Sequence, residues 1–141
     1  MSDLPAEEVL PLLLHSVPES AAFFAEKYQM PADSAAVARD AFLDLYEVLA
    51  ECFTAPVLMP QLERPIPDPE LLGRCWDFVE RIVDHPSQHV RGAVYFEVLE
   101  QLLHEGCLVE AAWPHMKDRA QARTVKMLDS YGVVLPGLNR R

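Results

Sequence analysis

The apolar residues of this chain recur at intervals of three and four, and that spacing governs what it can fold into. Within 68–84, Leu71, Leu72, Cys75, Phe78, Val79, Ile82 and Val83 form one stripe. At about 100° per residue they share one side of a helix. Asp68-Pro69 supplies its start, because a carboxylate accepts from the free amides of a first turn and a proline at the first helical position forfeits no bond. A second stripe, Val90, Val94, Val98, Leu99, Leu102 and Leu103, follows Ser87 as cap. Gly106 is expected to stop that helix in a left-handed conformation. A third stripe, Val37, Ala41, Leu45, Val48 and Cys52, follows Asp33 and runs to about Phe53. No segment sustains a period of two, so no sheet is expected.

The ends read as shorter helices. Residues 5–15 and 18–29 form two, parted near Pro18, with Pro11 kinking or delaying the first. Residues 107–112 form a single turn, and Pro114 opens a last helix that reaches about Tyr131 and stops at Gly132. The stretch 54–69 differs, since Pro56, Pro60, Pro65, Pro67 and Pro69 predict an extended, semi-rigid crossing. Its apolar residues Val57, Leu58, Met59, Leu62 and Ile66 would hold it against the helices, which makes it a crossover inside one domain.

The expected architecture is therefore all-α. It is a single-domain irregular helical bundle over 1–141, of about five to six helices. It contains a HEAT-like αα-hairpin at about 68–105, turned at His85-Pro86, and the Pro-rich crossover at about 54–69. No second copy of the hairpin recurs, so a repeat array is not expected. The 141 residues, half of them hydrophobic, suit one buried core.

Net charge is -10 and unevenly placed. Residues 1–80 hold fifteen Asp/Glu and four Lys/Arg, while residues 81–141 hold seven and eight. Such acidity favours solubility and basic partners over nucleic acid or an anionic membrane. The three cysteines, Cys52, Cys75 and Cys107, form no CxxC or CxC pair and read as reduced thiols of a cytoplasmic protein. Residues 2–8 are acidic where a signal peptide would be basic, and no apolar run approaches a membrane span.

Chemistry-bearing residues are scattered. His85 and His89 are four apart, but Pro86 separates them, and His104, Cys107 and His115 complete no zinc pattern. Cys52 and Cys75 lie on apolar stripes, and Cys107, the more accessible thiol, has Leu108 and Val109 beside it, which suggests partial burial. No phosphate loop, nucleophile elbow or HExxH occurs. The expectation is a protein without catalytic residues, metal or cofactor. Lys117, Arg119, Arg123 and Lys126 give the last helix a basic face, interleaved with Asp118 and Asp129, which suits solvent or the acidic half of the same chain.

The most informative charges are Asp40, Asp44, Glu47 and Glu51, spaced four, three and four apart. They fall within roughly a 60° arc opposite the buried stripe, with no basic residue among them. Each like-charged pair costs a helix about 0.2–0.5 kcal/mol. By contrast, Glu70, Arg74, Asp77 and Arg81 alternate in sign. The acidic stripe reads as a solvated face, as a partner for the basic last helix, or as a docking surface for a basic protein.

The segment 68–132, with DFVERIVDHPSQHVRGAVYFEVLEQL followed by MKDRAQARTVKMLDSYG, resembles small bacterial all-helical proteins of the uncharacterised or immunity-protein type. It covers about half the chain. The resemblance implies a cytoplasmic protein that binds a toxin domain and blocks it. Two other readings stay open: a helical adaptor or self-associating scaffold, and an enzyme whose site is built from dispersed residues.

Overall fold

A computed structural model describes residues 8–29 and 44–138. They form seven helices and no strand. The first two are α1 (Val9–Ser16) and α2 (Glu19–Tyr28). Helix α3 (45–63) is α-helical over Leu45–Val48, π-helical over Leu49–Leu58 and α-helical again over Met59–Glu63. Helix α4 is Pro69–Ile82. Helix α5 (88–104) passes from α-helix at Gln88–Val94 through π-helix at Tyr95–Leu99 to 3₁₀ geometry at Glu100–His104. Helix α6 (Gly106–Ala112) and a 3₁₀ turn (Trp113–His115) lead into α7 (Asp118–Ser130).

The stripes read from sequence become the core. All seven α4 stripe residues are buried, as are Val90, Val94, Val98, Leu99 and Leu102 of α5. Val48 and Cys52 of α3 join them in one contiguous cluster to which every helix contributes. Helix α4 packs against α1, the start of α5 and α7. Helix α3 packs against α2 and against α5 along Gln88–Leu99. The expected hairpin forms, its turn held by the buried His85, whose Nδ1 accepts from Ser87 N at 2.9 Å. Its second arm then leans onto α3, where Thr54 Oγ1 donates to Glu97 O at 2.7 Å.

Local signals held at the caps. Asp68 accepts from the amides of Glu70 and Leu71, and Ser87 from that of Val90. Gly132 is left-handed at φ 70°, and Val133 N donates back to Leu128 O, closing α7 in a Schellman-like end.

Five expectations need correction. The Pro-rich crossover is extended only from Arg64 onward, because α3 continues through Pro56 and Pro60 to Glu63. In an α-helix Pro56 would press on the carbonyl four residues back and leave it unbonded. The π-helix relieves this by widening: Met59 N donates to Thr54 O, five residues back. Ile66, expected against the helices, is 82% exposed. Helix α3 starts at Leu45, because Asp44 is extended (φ −87°, ψ 115°) and caps it; the proposed start at Asp33 lies outside the described residues. Gly106 opens α6 instead of ending α5, the break being made by the extended Glu105. Pro114 sits in the 3₁₀ turn, and α7 begins at Asp118.

Candidate functional site

Of the four stripe acids, Asp40 lies outside the described residues. Asp44 spends one carboxylate oxygen on Tyr46 N at 2.9 Å and remains exposed. Because Asp44 stands at the cap, the helical arc holds only from Glu47 onward. Glu47 and Glu51 are exposed on α3, but they are not bare of cations. Lys27 of α2 lies 2.8 Å from Glu51 and 3.9 Å from Glu47, and Tyr28 Oη donates to Glu47 at 2.8 Å. Sequence spacing could not show this, since the cation comes from another helix, 24 residues away.

The acidity instead continues across to α5. Glu97 is half-buried, and its carboxylate makes no hydrogen bond or ion pair among the described residues. Burial first, then the charges of Asp44 and Glu100, hold its carboxyl above the ordinary range. Glu100 accepts from Tyr131 Oη, and that bond together with partial burial pushes the phenol far above its usual value. Glu97 thus feels two further acids, Asp44 at the cap of α3 and Glu100 on its own helix, with Glu47 and Glu51 also on α3.

Aromatic side chains lie among them. Phe96 is 46% exposed. Its ring stands 5.1 Å from Tyr95 and 6.5 Å from Tyr46, and Tyr46 in turn lies 5.2 Å from His89. The Tyr46 hydroxyl lies so close over Gly92 that a Cβ there would force the tyrosine to shift. The result is an aromatic ledge bordered by carboxylates. Large aromatics carry much of the energy at protein interfaces, and their faces attract cations.

Glu97 and Phe96 were quoted in the sequence but not read as a site. Their signal was available: Phe96 lies two residues from both Val94 and Val98, about 200° around the helix from the buried stripe. An aromatic there must face outward or find another element.

Among the described residues, no ion pair joins the basic last helix to the stripe. Arg123 Nε donates to Asp84 at 2.5 Å, and Lys117 lies 3.4 Å from Asp77. Both Glu80 oxygens accept from the first amides of α7, those of Arg119 and Ala120. Arg74 holds Glu70 on its own helix and, through two bonds of 2.8 Å, Glu19 on α2.

The thiols are arranged as follows. Cys52 and Cys75 are buried, with burial pushing their thiols up to about 11 and about 12. Cys107 is exposed, against the partial burial suggested by its neighbours. Among the described residues no three His, Cys, Asp or Glu side chains converge as metal ligands, and no helix is long and apolar enough to cross a membrane. Comparison of the chain with protein-family models, curated proteins and solved structures finds no match.

Proposed function

We propose that this protein is a non-catalytic, cytoplasmic binding module that docks the basic surface of a partner protein through the α3–α5 face. The observation that carries this reading is the Glu97 carboxylate, half-buried beside an exposed phenylalanine, near the charges of Asp44 and Glu100 and without a hydrogen-bond or ion-pair partner among the described residues. Uncompensated like charge is unfavourable in the free protein, and a cationic partner removes that penalty on binding. The acids also steer a basic partner toward the ledge and raise the association rate. The resemblance of 68–132 to immunity-type proteins gives the role a form. The partner is a basic toxin or effector, and docking blocks it by steric occlusion while the acids occupy its basic cleft.

The test is to isolate the partner from the native host, purify it, and titrate it with wild type and with an Asp44→Lys, Glu97→Lys double variant. The variant is expected to bind at least tenfold more weakly, with a shallower dependence on salt. Equal affinity and equal salt dependence would remove this face from the function. Concentration-dependent mass without a partner would instead favour the self-associating scaffold.

A further inference from the structure

Where α3 and α5 lean together, a cleft of about 390 Å³ opens beside the aromatic ledge. That is within the range of about 300–1,000 Å³ typical of small-ligand clefts. Its apolar lining comes from Ala50, Ala55 and Met59, with Thr54 and Gln101 as its neutral polar residues. Glu51 lines it from α3 and Glu97 from α5, on facing helices. The two helices are tied there by the Thr54 hydroxyl, which donates to the backbone carbonyl of Glu97 at 2.7 Å.

A cleft lined by both apolar side chains and two carboxylates suits a side chain with a hydrocarbon stem and a cationic head. Both basic residues have this form, but the carboxylates favour arginine. They stand on separate helices, and a planar guanidinium with five donors can bond to both, whereas an ammonium acts as a point charge. Glu51 already shares one oxygen with the Lys27 ammonium, leaving the other for a fork. Glu97 brings a carboxylate with no partner among the described residues. The stem would lie along Ala50, Ala55 and Met59, as arginine stems commonly lie on apolar surface.

We infer that this cleft receives one arginine side chain of the protein partner, with its guanidinium bridging Glu51 and Glu97. The inference rests on the docking reading above and gives it a specific anchor. Buried arginines are among the residues that dominate interface energetics.

The experiment uses ¹⁵N-labelled full-length protein and three blocked tripeptides, Ac-Ala-Arg-Ala-NH₂ and its lysine and citrulline counterparts. Citrulline keeps the shape of arginine and removes the charge. The arginine peptide should shift the amide resonances of Ala50, Glu51, Ala55 and Glu97 saturably. The lysine peptide should bind at least threefold more weakly and the citrulline peptide at least tenfold. Glu97→Gln should weaken arginine binding at least fivefold. Ala55→Leu, which fills the cleft without altering charge, should do the same while leaving the circular dichroism spectrum unchanged. Shifts centred elsewhere, equal binding of citrulline, or full binding by both variants would overturn the arginine cleft. If the purified partner loses affinity on Asp44→Lys and on Glu97→Gln but not on Ala55→Leu, the docking face stands and the cleft fails alone.

Discussion

Along α4 the outward charges that reach another helix find their opposites there. Arg74 meets Glu19 of α2, Asp77 meets Lys117, Asp84 meets Arg123, and Glu80 caps α7. Along the α3–α5 face five acids, Asp44, Glu47, Glu51, Glu97 and Glu100, lie near one another; Lys27 reaches Glu47 and Glu51, and Arg91 and Arg123 lie by the far side of the aromatic ledge. Both faces belong to amphipathic helices with buried stripes of similar make-up, each including a cysteine whose thiol burial pushes upward. The difference lies wholly on the outer side. Charge on α4 ties neighbouring helices together, whereas on α3 and α5 the acids outnumber the cations that the described residues bring to them, the imbalance on which the proposed docking rests.

The largest expected effect treats both faces alike. Phe53 of α3 and Phe78 of α4 are buried and meet edge-on at 5.4 Å. Phe53→Ala should cost about 3–5 kcal/mol in chemical denaturation, because it opens a cavity in the core that carries both faces. A loss below about 1 kcal/mol would mean that the two helices do not share one cooperative core, and the comparison would then concern two separately stable parts.

A smaller effect should separate the faces. Glu80→Ala removes the acceptor for two amides at the start of α7, where Lys117 provides no side-chain cap. A lost cap costs about 1 kcal/mol, read as a lower denaturation midpoint at unchanged slope. Removing an acid from the α4 face therefore destabilises. If Glu80→Ala were neutral, the paired face would be as idle as a solvated one.

Much of the fold was legible because it is local. The α4 and α5 stripes, the caps Asp68 and Ser87, and the stop at Gly132 follow from residues within a turn of one another. What escaped depends on distant parts of the chain. Pro56 was read as a helix breaker, and only the π-helical widening of α3 accommodates it. The stripe was read as free of cations, and Lys27 arrives from α2. Glu97 joins the acidic face only because α5 leans onto α3, which no spacing within α5 encodes. Alternating signs on α4 marked the face as self-neutralising, and its charges also hold α2 and α7.

The smallest effect is also the most discriminating, since it should change sign between the faces. The Arg74 guanidinium, by hydrogen bonding, holds the Glu19 carboxyl below its ordinary value of 4.5. Its ionised form is favoured by folding, so its contribution is present above the unfolded value and is lost as pH falls through the folded one. Glu97 runs the other way. Burial, with Asp44 and Glu100, raises its carboxyl above 4.5, so the folded state favours the protonated form, and that advantage is lost as pH rises through the folded value. Glu19→Gln should therefore lower the melting temperature at pH 7, and Glu97→Gln should raise it. Both differences should fade in acid: the first as Glu19 protonates below pH 4.5, the second once Glu97 is protonated in folded and unfolded chains alike. Melting curves of the two variants against wild type from pH 3 to pH 8 measure this directly. If Glu97→Gln lowers the melting temperature at pH 7, Glu97 has a stabilising partner in the free protein, and the α3–α5 face is satisfied in the same way as the face on α4.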